Sequence, residues 1–365
     1  MTVTNFLIEN FRNLRLAEIS PVESVNILYG QNAQGKTNLL EALWLCTGAK
    51  SFREANANEL VNFESEKARL SLDFFSRERN QNIEFILGEE KKITQNGVVK
   101  KSSTELVGNF NAVVFSPDHL SLIKDGPEER RKFMDTSLSS LRPGARTLVN
   151  RYKKILIQRN NILKELPKNR QLNGYLETLN EMMSLYGAKL CYQRQKYIEA
   201  VMPFVIEFYD GLSRGNEKLT VSYEGEYLAN EDGKDILLRE IEAATEKDKK
   251  LFTSTAGPHR HDLIFEINGK SARNFGSQGQ QRSAALALKL AEAKVLENFF
   301  LEKPIILLDD VMSELDEFRQ DFVINQLTDL QVFITCCDPH QVAKMTEGKS
   351  FYIENGIVTE KSVKS

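Results

Sequence analysis

The chain has 365 residues, enough for two domains or two lobes, and its 41% hydrophobic and 27% charged content is that of a globular protein able to bury a sizeable core. This excludes a wholly disordered chain, a collagen-like repeat and a disulfide-stapled miniprotein. With a net charge of −3, any nucleic-acid surface has to be a local basic patch rather than a property of the whole molecule.

Cys46, Cys191, Cys336 and Cys337 form no C-x-x-C pair, so neither a zinc site nor a disulfide framework is expected, and a reducing compartment is. No segment reaches the ~18 consecutive apolar residues of a membrane helix. Residues 1–6 lack the basic start and apolar run of a signal peptide, so a cytoplasmic location is expected.

In chain order, short apolar runs at Leu7–Ile8, Val25–Tyr29, Ala68–Phe75, Ile83–Leu87 and Ala112–Phe115 predict strands, with one helix from Lys36 through Leu45 between them. From Pro117 to Leu251 the pattern is helical, and Pro143, Pro167 and Pro203 read as helix starts and stops. The last stretch alternates again. It predicts a strand at Leu263–Ile267, a helix at Gln280–Phe299, a strand at Pro304–Leu308, a helix at Glu317–Leu327 and a strand at Gln331–Thr335. A hairpin at Phe351–Val358 would turn on Asn355-Gly356. The simplest architecture is α/β, with residues 1–115 and 257–365 as two parts of one lobe and residues 116–256 as a helical insertion.

Gly30-Gln31-Asn32-Ala33-Gln34-Gly35-Lys36-Thr37 matches G-x-x-x-x-G-K-[ST], between a predicted strand and a predicted helix. Glycines let backbone N–H groups approach phosphates, and the helix start adds partial positive charge. Lys36 would reach the β and γ phosphates, and the Thr37 hydroxyl would ligate Mg²⁺; Asn38 joins the ATP-binding set. Four fixed positions match by chance in a chain of this size roughly one time in a hundred. A P-loop also needs a carboxylate on a neighbouring strand. Asp309 and Asp310 end the apolar run Pro304–Leu308, where α/β sheets bind ligands. Asp309 is the metal candidate and Asp310 the candidate for orienting the attacking water.

Ser277-Gln278-Gly279-Gln280-Gln281-Arg282 resembles the signature motif of ABC-type ATPases, and Ser313-Glu314-Leu315-Asp316 looks like their D-loop. Roughly 240 residues separate Gly35 from Ser277, more than in transporter subunits and too few for the coiled coils of SMC-type repair ATPases. That intermediate length resembles the RecF family of bacterial recombination mediators. The likeness extends through Asn10–Asn13, Gly30–Glu41, Ser51–Arg53, Val114–Pro117, Gly126–Asp135, Gly257–Arg260, Gly276–Leu286 and Leu307–Asp316.

The resemblance implies an ABC-type P-loop ATPase head with a mainly helical inserted second lobe. It also implies an ATP-dependent homodimer in which Ser277 and Gly279 grip the γ-phosphate bound to the partner copy. Such proteins bind double-stranded DNA near single-strand gaps, hydrolyse ATP slowly under DNA stimulation, and work with RecR and RecO to load RecA in repair, replication restart and the SOS response. By position, Arg12 resembles a basic residue near the adenine, and Arg53 an arginine approaching phosphates or DNA. Three departures suit slow turnover. No histidine precedes Asp338, no Q-loop glutamine follows Val114-Phe115-Ser116-Pro117 (Asp118 and His119 being possible substitutes), and Asp310 replaces the usual glutamate. The competing readings are a transporter nucleotide-binding subunit and an SMC-like regulatory ATPase.

Nine Lys/Arg and one acid lie between Arg142 and Arg170. At about 100° per residue, Leu148, Tyr152, Ile155, Ile162, Leu163 and Leu166 form an apolar stripe, with Arg146, Lys153 and Lys164 together opposite it. Such a track of cations neutralises phosphates without reading sequence, so these three residues are DNA-binding candidates.

Overall fold

The computed structural model describes residues 1–53, 55–338 and 348–361. In chain order it begins with β1 (Thr2–Phe11), β2 (Leu14–Ile19), β3 (Val25–Tyr29), α1 (Lys36–Leu45), β4 (Lys67–Ser76), β5 (Arg79–Gly88), β6 (Lys92–Gln95), β7 (Val98–Val99) and β8 (Ala112–Phe115). Next come α2 (Pro117–Leu120), α3 (Pro127–Leu141), α4 (Pro143–Glu165), α5 (Asn173–Ser213), β9 (Leu219–Tyr223) and α6 (Gly233–Leu251). The remainder is β10 (Leu263–Ile267), β11 (Lys270–Ser271), α7 (Ala272–Phe275), α8 (Gln278–Phe300), β12 (Ile305–Asp309), α9 (Glu317–Gln326), β13 (Val332–Cys336), β14 (Gly348–Glu354) and β15 (Ile357–Glu360).

Two compact units result: Met1–Ser121 with Gly211–Arg214 and Ala285–Ser365, and Leu122–Asp210 with Gly215–Ala284. Packing thus draws the divisions at 121 and 284, where the sequence suggested 115 and 256. The later second division has a physical cause. Arg194 donates to the Pro258 carbonyl (2.8 Å) and Arg130 grips Asp262 (2.7 Å), which ties that stretch to the helices.

The first unit is built on a twelve-stranded sheet in the order β7-β6-β5-β4-β1-β2-β15-β14-β3-β13-β12-β8. Strands β14, β3, β13, β12 and β8 run parallel, and β12 and β13 are buried at every position, as their Ile305–Leu308 and Val332–Ile334 runs require. Strands β1, β4 and β5 pair antiparallel, and β4 alternates buried and exposed residues. Leu39, Leu40 and Leu43 of α1 join Phe6, Leu70, Leu307 and Phe333 in one core. The predicted hairpin forms as β14–β15, with Asn355 (φ 51°) and Gly356 (φ 74°) both left-handed, as a tight hairpin turn demands.

The second unit combines α3, α4 and α6 with a three-stranded sheet ordered β11-β10-β9. Two expectations need correction here. Pro203 lies inside α5 rather than at a helix boundary, where buried Val201 and Val205 beside it continue the core face. The helical stretch also contains β9, whose alternating Leu219, Val221 and Tyr223 pair with β10.

Candidate nucleotide-binding site

Strand β3 ends at Tyr29, and the loop to α1 takes conformations only its sequence permits. Gly30 has φ 150° and Gly35 φ 119°. A Cβ on Gly30 would stand 2.3 Å from the Ile353 carbonyl oxygen, and one on Gly35 would stand 2.6 Å from Leu14 Cδ2. The buried Lys36 ammonium donates to the carbonyls of Gly30 (2.6 Å) and Gln31 (3.0 Å) and lies 3.7 Å from Cys337 Sγ. The loop is braced on three sides. Asn13 Nδ2 donates to the Ala33 carbonyl (2.7 Å), the Asn355 N–H to Gln34 Oε1 (2.6 Å), and the Cys337 thiol to Asn32 Oδ1 (3.1 Å).

The sheet order places β13 between β3 and β12, so the acids meet the P-loop across one strand. Thr37 Oγ1 donates to Asp309 Oδ1 at 2.8 Å, and Thr335 Oγ1 to the same oxygen at 3.0 Å. Burial pushes the Asp309 carboxyl up from its ordinary range, while the two threonine hydroxyls and nearby Arg53 act against that shift. Asp310 is left-handed (φ 53°), and its N–H donates to Thr335 Oγ1 (2.8 Å). Ser313 Oγ donates to the Asp310 carbonyl (2.7 Å) and approaches its carboxylate (3.3 Å). Among the described residues no three His, Cys, Asp or Glu side chains cluster as a metal cage. The adjacent Thr37 hydroxyl and Asp309 carboxylate are nevertheless hard oxygen donors of the kind Mg²⁺ takes alongside phosphates and water.

The other sequence candidates divide by location. Arg53 donates to Asn38 Oδ1 (2.8 Å), and Asn38 to Asn13 Oδ1 (2.6 Å), which puts Arg53 beside the P-loop. Arg12 donates from Nη2 to Glu41 (2.9 Å), a buried carboxylate on α1 that Ser51 also bonds. His119 accepts the Ser116 N–H (3.1 Å) and closes the start of α2. Ser277 and Gly279 belong to the second unit. Exposed Ser277 begins α8 in a reciprocal cap, its N–H donating to Gln280 Oε1 (2.7 Å) and its Oγ accepting the Gln280 N–H (3.2 Å).

The basic helix departs from its expected face. The buried seam of α4 is Ala145, Val149, Tyr152, Ile155, Arg159 and Leu163. Arg159 enters it because Asp248 (2.7 Å) and Ser254 (2.8 Å) accept from its Nη1 and Asn180 (2.8 Å) from its Nε. That turns the opposite face toward Lys154 and Asn161. Arg146 is half-buried, and Lys153 pairs with Asp135 at 3.4 Å; Lys164 is exposed.

After Gly257-Pro258, His261 is buried and His259 half-buried. His259 contacts the Tyr152 hydroxyl (2.8 Å) and the Ser254 carbonyl (3.0 Å), and His261 lies 3.3 Å from the Tyr223 hydroxyl. Burial lowers both to about 4, so both are neutral at pH 7. The sequence pointed to no part in the nucleotide loop for Asn13, Thr335, Cys337 or Asn355. Asn13 stood in the Asn10–Asn13 likeness and Asn355 in the hairpin turn, but what Thr335, Cys337 and Asn355 touch depends on the strand order.

Residues 2–359 match the RecF/RecN/SMC N-terminal domain. The DNA replication and repair protein RecF of Lachnoclostridium phytofermentans is 38% identical over 92% of each chain. That of Acetivibrio thermocellus is 36% identical over 97% of this chain and 98% of its own. Among solved structures, that of the recombination mediator protein RecF-ATPrS in the RecFOR pathway has a TM-score of 0.90 at 34% identity, covering 99% of this chain and 98% of its own. The corresponding RecF-ATP structure has a TM-score of 0.88 at 35% identity over the same shares. An Smc head domain from Pyrococcus furiosus, at 16% identity and TM-score 0.56, shares the fold.

Proposed function

The chain belongs to the RecF family of RecF/RecN/SMC proteins, and on that premise we propose that it is an ATP-dependent, DNA-binding recombination mediator. The observation carrying this reading is the convergence of Lys36 and Thr37, at the start of α1, with Asp309 at the end of β12, Thr37 and Asp309 being 2.8 Å apart. Family membership displaces the transporter-subunit and regulatory alternatives.

In this proposal the P-loop amides and Lys36 hold the β and γ phosphates. Mg²⁺, bound by Thr37 and Asp309, would neutralise charge on those phosphates. Asp310 orients the attacking water, and its carboxylate, one carbon shorter than the glutamate of related heads, makes hydrolysis slow and ATP a timer. Arg53, held by Asn38, serves the phosphates before DNA. Ser277 and Gly279 of a second copy complete the site, so ATP closes a homodimer. The dimer binds duplex DNA near single-strand gaps, with cations of α4 as a phosphate track, and acts with RecR and RecO in loading RecA during repair, replication restart and the SOS response in the cytoplasm. On α4, exposed Lys154 and Lys164 contribute most, ahead of the half-buried Arg146 and the paired Lys153.

Lys36→Ala tests the core of this reading. Without its cation, ATP affinity should fall at least about tenfold, since charged hydrogen bonds contribute ~1.5–3 kcal/mol each. Sedimentation should then show no ATP-dependent dimer, and mobility shifts should show no ATP-dependent gain on gapped duplex. Wild-type dimerisation by this variant would overturn the proposal.

A further inference from the structure

The second unit holds a cavity of about 580 Å³, within the range of pockets that take small ligands or single side chains. Its floor is apolar: Ala145, Leu148, Leu185 and Ala188, with the half-exposed Tyr192 as one wall. Three cations, Arg142, Lys189 and Lys234, stand around this floor against one acid, Glu231. The first turn of α4 lines the same cavity. It begins with Pro143, carries no acidic residue and has no side-chain cap, so the positive end of a 23-residue helix adds to the cationic wall. The lining contains no His, Cys or paired carboxylates and so offers binding rather than chemistry.

We infer that this cavity receives an acidic peptide segment of a partner protein. One apolar side chain of the segment fills the floor, and flanking carboxylates meet Arg142, Lys189 and Lys234. The apolar floor decides for a peptide over a nucleic-acid backbone, because a phosphate chain has cation partners here but no group that gains by burial on Leu148 and Leu185. A tyrosine and an arginine in one lining are also residue types that anchor protein partners. The site is separate from the exposed Lys154 and Lys164, which line no part of it.

The test is fluorescence anisotropy with the full chain and a pool of labelled five-residue peptides, each with glutamates around one central Leu, Ile, Met, Phe or Trp. Two control pools carry glutamine for glutamate, or glycine at the centre. The variant is Lys189→Glu/Lys234→Glu, whose two side chains are exposed, with an unchanged melting temperature as the folding check. The acidic pool should bind wild type and lose at least about tenfold in affinity, or 1.4 kcal/mol, in the variant and in each control pool. Absence of binding to wild type, equal binding to the variant, or indifference to the central residue would each overturn the inference. So would a variant that loses duplex DNA affinity in parallel, which would make the cavity part of a nucleic-acid surface.

Discussion

Gly30→Ala separates the geometry of the nucleotide loop from its charge. Alanine at φ 150° carries a backbone penalty of about 1–3 kcal/mol. The larger effect is steric. The new Cβ would lie 2.3 Å from the Ile353 carbonyl oxygen, in a region where real contacts begin near 3.0 Å, so the loop has to retreat by about 0.7 Å or more. The obstacle is backbone of β14, hydrogen-bonded to both neighbours in the sheet, and cannot swing aside. Retreat moves the Gly30 carbonyl off the Lys36 ammonium, now 2.6 Å away, and shifts the amides that would face phosphate. A misplacement approaching 1 Å can lower turnover about 100-fold. Gly97→Ala is the control. It is also left-handed (φ 77°) but has nothing within 4 Å of its Cβ, so only a backbone cost of ~1–2 kcal/mol is expected. ATP affinity by fluorescent-nucleotide titration, turnover by phosphate release and melting temperature should place Gly97→Ala near wild type and Gly30→Ala far below in all three. A Gly30→Ala protein with wild-type affinity and turnover would refute the argument that the β14 backbone fixes the loop.

Asp310→Asn should retain ATP and lower phosphate release about 100-fold, so that ATP-bound dimer accumulates in sedimentation; unchanged turnover would assign water positioning to another group. Ser277→Arg should keep monomer ATP affinity while its bulk and charge abolish the ATP-dependent dimer, and a normal dimer would sink the role given to the signature serine. His259 and His261 stay neutral in the fold down to about pH 4, while in the unfolded chain they protonate near 6.5. Their contribution is therefore full above pH 6.5 and lost as pH falls toward 4, by up to roughly 3 kcal/mol each. Melting temperature should drop across that window, and less steeply in His259→Gln/His261→Gln; parallel slopes would show that the titration lies elsewhere.

The parts of the site legible in the sequence were those written in consecutive residues. The Gly30–Thr37 loop, the buried β12 and the acids at its end follow from local composition, and their order along the chain is their order in the mechanism. What brings Thr335 to Asp309, Cys337 to Lys36 and Asn355 to Gln34 is the insertion of β13 and β14 on either side of β3, which no local pattern announces. The seam of α4 was legible only in part, for a different reason: Tyr152, Ile155, Leu163 and Leu166 are buried as expected, but the seam also takes in Arg159. A stripe drawn through the largest apolar residues leaves out a buried arginine, yet Arg159 is interior because Asp248 on α6 neutralises it, and Ile157 is left 60% exposed. Charge burial is a pairwise property, invisible on one helix.

The position of β14 also governs when the site can come into being on the ribosome. The hairpin β14–β15 is wedged between β3 and β2, so it supplies the strands that join the antiparallel and parallel halves of the large sheet. Ile353, which fixes Gly30, and Asn355, which holds Gln34, are translated more than 300 residues after the loop they brace. At ~5–20 residues per second, a nascent P-loop waits about 15 seconds to a minute for its wall. During that interval β3 is an unpaired edge on that side, the kind of strand that recruits foreign partners. Early synthesis thus yields a chain with the nucleotide motif complete and the nucleotide site unbuilt.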